Sequence, residues 1–180
     1  MSELVFITAN LNGELKNKVK ELWDIGEKSY QTKGVQTYNY PNISFIPFQC
    51  ENIELLKREF SANKFNIEPF EIEINGLGYF EYPSKVLFLK VIKSDELIHI
   101  HKVLTEMLLK HTDSINKYYT TDMWIPHITI AMDDLTDDNF IKFKEVLENE
   151  IFEFKQIITE IQLIQQCKGR FEIIGSKKLK

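Results

Sequence analysis

Two pentapeptides decide how this chain is read: YPNIS at residues 40–44 and IPHIT at residues 125–129. Each runs apolar or aromatic residue, proline, polar residue, isoleucine, hydroxyl residue. His127 stands in the second where Asn42 stands in the first, 85 residues earlier. Along a strand, residues i and i+2 project from one face, so Asn42 pairs with Ser44 and His127 with Thr129. An imidazole exchanges a proton near neutral pH, and a neighbouring hydroxyl can donate to a phosphate oxygen. Two such strands facing each other across a cleft would supply two proton-transfer groups and two phosphate anchors. That set suits in-line attack on a phosphodiester. A single H-x-T is a weak signal; its recurrence behind a proline carries the weight.

Around the pentapeptides, elements follow from periodicity. Residues 3–9 (ELVFITA) read as a strand, and a helix is predicted from Glu14 to Tyr30, with Leu15, Val19, Leu22, Trp23 and Gly26 on one face. A second strand, YNYPNISFIPF at 38–48, carries Pro41, which places its start at a sheet edge or bulge. A short helix, NIELLKREFSAN, covers 52–63. FEIEINGLGYF (70–80) and KVLFLKVIK (85–93) read as strands joined by EYPS. Ser94 or Asp95 then caps a helix reaching His111, with Leu97, Ile100, Leu104, Met107 and Leu108 on its apolar face. WIPHITIAM (124–132) is a strand, and LTDDNFIKFKEVLENE (135–150) a helix capped by Thr136 or Asp137. FKQIITEIQLIQQ (154–166) reads as one long strand, paired through a Lys168-Gly169 turn with RFEIIGS (170–176). Cut near Ser84, the order becomes two runs of strand, helix, motif strand, helix, strand, an internal duplication. The expected fold is α+β: antiparallel sheets flanked by helices, bilobal with a pseudo-two-fold axis and a central cleft. Residues 1–180 are read as a single domain of two interlocked lobes.

Composition is ordinary for a globular chain, 43% hydrophobic and 27% charged. The net charge of −5 lacks the basic bias of proteins that grip long duplex nucleic acid. Small anionic ligands need only a few placed donors and remain open. Cys50 and Cys167 form no CxxC and no metal-type cluster. The N-terminal MSELVFITAN reads as a strand rather than a targeting segment, and no apolar run approaches the ~20 residues of a membrane span. A cytoplasmic monomer is expected.

The sequence around both motifs resembles the 2H phosphoesterase superfamily, in its 2′-5′ RNA ligase-like, cyclic phosphodiesterase branch, which has two H-x-[ST] motifs. PHITI (126–130), INGLGYFEYPSKVLFLKV (74–91) and IQLIQQCKGRFEII (161–174) carry the resemblance. It implies metal-free, cofactor-free chemistry on small RNA-like phosphodiesters: 2′,3′-cyclic phosphates, 2′-5′ linkages or cyclic nucleotides. It casts His127 as a general acid or base and Ser44 and Thr129 as phosphate anchors. Asn42 departs from the pattern, because an amide has no proton to exchange near neutral pH. Three readings stand open: an engineered variant that traps substrate, a natural homologue with weakened chemistry, or a protein that binds a nucleotide without cleaving it.

Other residues are weighed against blander roles. His99 and His101, two apart on a helix, cannot share a ligand and are read as surface or helix-face side chains. His111 is placed at that helix's C-terminal dipole. Tyr79, Phe80 and Tyr82 are candidates to stack a base, against core packing. Tyr40 and Trp124 are candidate cleft walls. Lys168 and Arg170 offer positive charge at the closing hairpin, against simple exposure. Asn42-Ile43-Ser44 also fits a glycosylation pattern, read as accidental.

Overall fold

The structure is a computed structural model that describes residues 2–62, 67–112 and 115–180. The first strand, β1 (Glu3–Asn10), leads into helix α1 (Gly13–Tyr30), which buries Leu15, Val19, Leu22, Trp23 and Gly26 as the periodicity predicts. A 3-10 turn at Gly34–Tyr38 precedes β2 (Asn42–Cys50). The predicted strand from residue 38 therefore starts four positions later. The chain bends through Asn39, whose φ is 60°, before Pro41 delivers it to the sheet. Helix α2 (Ile53–Ala62) follows; the last residue predicted for it, Asn63, lies outside the described residues.

Strands β3 (Phe70–Phe80) and β4 (Val86–Val91) form a hairpin. Helix α3 (Asp95–Leu108) is capped by Ser94, whose side chain accepts from the Leu97 N–H. It ends before His111, whose Nε2 instead lies 3.0 Å from Glu59 Oε2. A 3-10 turn at Lys117–Tyr119 leads to β5 (His127–Met132), and Thr136 caps α4 (Asp137–Leu147). The single strand read over 154–166 is two strands, β6 (Glu153–Ile158) and β7 (Glu160–Cys167). Their boundary at Thr159 carries no glycine or proline, so no turn signal marks it. β8 (Arg170–Lys178) closes the chain behind the Lys168-Gly169 turn, where φ is positive at both residues, as a type I′ hairpin requires.

The strands form two antiparallel sheets, ordered β2-β1-β7-β8 and β5-β4-β3-β6. The break at Thr159 sends β6 to one sheet and β7 to the other. The two motif strands are the edges β2 and β5, and these edges run against each other. Each departs from regular pairing one residue beyond its hydroxyl, at Phe45 in β2 and Ile130 in β5. An extra residue bends a strand and re-aims its side chains. In consequence both strands share one sequence of exposures: Asn42 and Ser44, like His127 and Thr129, are half-buried, while Ile43, Phe45 and Ile46, like Ile128, Ile130 and Ala131, are buried. One apolar cluster runs through both halves, from Val5 and Phe45 to Ile128 and Phe143. Among the described residues, no helix is long and apolar enough to cross a membrane.

Candidate active site

Asn42, Ser44, His127 and Thr129 line one cavity of about 600 Å³ between the two sheets. The strand period places each pair on one face, and the apposed edges bring the pairs together.

The imidazole of His127 has a fixed orientation. Its Nδ1 lies 2.7 Å from the Ile125 carbonyl, which can only accept, so Nδ1 carries the proton. Nε2 is left with its lone pair. The ring packs against Phe88 at 4.9 Å and edge-on to Phe80 at 5.5 Å. Burial pushes its pKa below the ordinary histidine value, opposed by the Ile125 carbonyl. A neutral imidazole with a free Nε2 is poised to accept a proton.

Asn42 reproduces half of this arrangement. Its Nδ2 donates to the Tyr40 carbonyl at 3.0 Å, the same reach two residues back that His127 makes to Ile125. Its Oδ1 accepts from Ser44 Oγ at 3.0 Å, so the serine proton points at the amide. Nothing at position 42 plays the part of Nε2. The first motif is a closed chain of hydrogen bonds, and the second keeps an unused basic atom.

Two indoles bind the motif backbones. Trp23 Nε1 donates to the Thr129 carbonyl at 3.0 Å, and Trp124 Nε1 to the Ser44 carbonyl at 3.2 Å. Both tryptophans also line the cavity.

The remaining expected residues divide. Phe80, Tyr82 and Trp124 line the cavity; Tyr40, Tyr79, Lys168 and Arg170 do not. Tyr79 faces away because strand alternation sets it opposite Phe80, and it lies under Lys144 Nζ at 3.9 Å and beside Phe140. Tyr40 turns outward toward Lys16, with Nζ 5.8 Å from its ring centroid. Arg170 sits exposed at the start of β8, opposite Cys167. His101, expected near the surface, is fully buried and stacks on Trp124 with ring centroids 4.4 Å apart. His99 is exposed, as read. Residues not anticipated at the cavity include Phe6, Tyr38, Tyr118, Tyr119, Met123 and Asp133. The Phe6–Tyr38 contact joins a strand to a 3-10 turn, and residues 118–123 run from the end of the second 3-10 turn into a loop with no period, so sequence pattern offered no handle on them.

Comparison with known proteins bears on this geometry. Residues 44–170 match the family described as the 2′-5′ RNA ligase superfamily, a match that begins two residues after Asn42 and spans His127 and Thr129. A protein of Oceanobacillus iheyensis whose name assigns it to the phosphoesterases is 33% identical over 99 residues. That stretch is 55% of this chain and 54% of the relative, so the chain spans about half the length of the curated relative it matches. Among solved structures, E. coli LigT complexed with 3′-AMP is similar with a TM-score of 0.67 at 13% identity, covering 99% of this chain and 98% of that one. The Thermus thermophilus protein TT0787 is similar with a TM-score of 0.67 at 15% identity and the same coverage, 99% and 98%. These structural likenesses establish the fold.

Proposed function

The chain belongs to the 2′-5′ RNA ligase superfamily, and from that premise we propose that its cleft takes a small RNA-type phosphodiester and that His127 moves the proton in a metal-free reaction at phosphorus. Ser44 and Thr129 hold non-bridging oxygens, once Ser44 turns its hydroxyl from Asn42 to the ligand. For a nucleoside 2′,3′-cyclic phosphate, His127 Nε2 takes a proton from the attacking water as its oxygen bonds to phosphorus. The ribose oxygen leaves opposite. At a two-histidine site the second imidazole would protonate that oxygen; beside Asn42 the proton comes from solvent, which slows the step. The 3′-AMP in the LigT crystal is a nucleotide of the size this reading requires. The protein is read as a cytoplasmic monomer that does not engage long duplexes.

The observation that carries this reading is the pairing of two same-face polar and hydroxyl residues on apposed edge strands that line one cavity, with no hydrogen-bond partner for Nε2 of His127 among the described residues. Asn42→His is expected to raise turnover of nucleoside 2′,3′-cyclic phosphates by about 10²–10⁴, and adding His127→Ala is expected to abolish the gain. Absence of turnover by either form, with cyclic phosphates and 2′-5′ dinucleotides, would overturn the catalytic reading.

The closed hydrogen-bond chain Tyr40–Asn42–Ser44 favours a second reading, a site that holds a nucleotide without cleaving it. Calorimetry separates the two: tight binding that survives His127→Ala, with no product formed, identifies a binding protein.

A further inference from the structure

We propose that Trp23 and Trp124 are positioning residues, each holding the main-chain carbonyl of the opposite half's hydroxyl residue and so setting the two motifs at a fixed separation. The proposal deepens the phosphodiester reading and rests on it for the effect on ligand affinity.

These are the chain's two tryptophans, and both are buried. Trp23 lies on α1, between β1 and β2, in the half that carries Asn42 and Ser44; yet its N–H reaches Thr129. Trp124 lies three residues before His127, and its N–H reaches Ser44. The two bonds cross. Their acceptors occupy equivalent places in the duplication, each just before the extra residue of its edge strand. An edge strand turns carbonyls away from its ladder, and a buried carbonyl left without a donor is costly. Indole N–H is a donor only, so each bond has one sense.

The arrangement was not copied with the repeat. Helix α1 buries Val19, Leu22, Trp23 and Gly26; helix α3 buries Leu97, Ile100, His101 and Leu104, each 78 residues further on. His101 is the polar member of the buried α3 face. It stacks on Trp124, and its Nδ1 lies 3.1 Å from Thr121 Oγ1, which fixes the ring. Trp124, also against Phe45 at 5.5 Å, then makes the bond to Ser44. One half uses a helix residue directly, and the other uses a helix residue backing a loop tryptophan. Unlike side chains converge on equivalent carbonyls. Filling space alone would not require both N–H groups to end there.

The test replaces each tryptophan, one at a time, with its benzothienyl isostere, in which sulfur takes the place of N–H. Ring shape and any direct stacking on ligand are kept, and only the donor is lost. Ile72→Ala, in the core of β3 and outside the cavity lining, serves as a control for general loss of stability. Each isostere is expected to weaken binding of adenosine 2′,3′-cyclic phosphate roughly tenfold by calorimetry. The Trp23 isostere is also expected to move the NMR titration of the His127 ring in the free protein toward its ordinary value, while Ile72→Ala leaves it in place. Unchanged affinity together with an unchanged titration would overturn the proposal. If the unsubstituted protein and its Asn42→His form both fail to bind the cyclic phosphate, the phosphodiester reading falls, and the His127 titration alone decides the positioning role.

Discussion

At the scale of single residues, the amide of Asn42 reaches the carbonyl two positions back as the Nδ1–H of His127 does, so position 42 has the local bonding of the strand without proton chemistry near neutral pH. The lowered pKa of His127 sets where that chemistry would stop. In the Asn42→His form, the acidic limb of the pH–rate profile that belongs to His127 is expected below pH ~6.5, the ordinary histidine value. His101 bears on stability rather than turnover. Burial, with a contribution from the Lys93 charge, pushes its pKa down to about 4. As pH falls from neutrality, the unfolded chain takes up a proton near the ordinary value while the folded chain resists until about 4. Stability is therefore present above pH ~6.5 and is lost across that window, by up to about 3 kcal/mol. His127 acts in the same direction. Melting curves between pH 7 and 4 are expected to show a reduced, not abolished, slope in His101→Phe, which keeps an aromatic face for Trp124.

Between elements, the β3–β4–β5 side of the cleft depends on a missing side chain. Gly78 on β3 lies under the ring of Phe88 on β4, and a Cβ there would overlap that ring. Phe88 in turn packs against His127 on β5 and Phe80 on β3. Gly78→Ala is expected to cost about 1–3 kcal/mol in denaturant unfolding, as overpacked cores do. It should also shift the His127 ring signals, because the displaced phenyl ring is the histidine's neighbour. Unmoved His127 signals would show that Phe88 yields elsewhere. The sequence shows Gly78 only as part of a G-x-G. Its role is set by which strand lies beside it.

Over the whole molecule, the chain links its sheets at the Thr159 crossing from β6 to β7, and a single apolar cluster spans both. The two halves are expected to unfold together, in one calorimetric transition whose van't Hoff and calorimetric enthalpies agree; two resolved transitions would mean that the lobes are independent domains. Much of this was legible in the chain itself. Helix faces follow from the 3.6-residue period, and the pairing of Asn42 with Ser44 and of His127 with Thr129 follows from the period of two, because these patterns are local. The family resemblance rests on PHITI and on the segments at 74–91 and 161–174, and it points to an α+β fold with antiparallel sheets. Tertiary structure alone decided what lies far apart in sequence. It divided residues 154–166 between two sheets without a turn residue to mark the break, and it left Arg170 away from the cleft. It buried His101 beneath Trp124 and brought Trp23 to Thr129. The physical reason is that backbone periodicity fixes which residues share a face, whereas packing between elements fixes what that face meets.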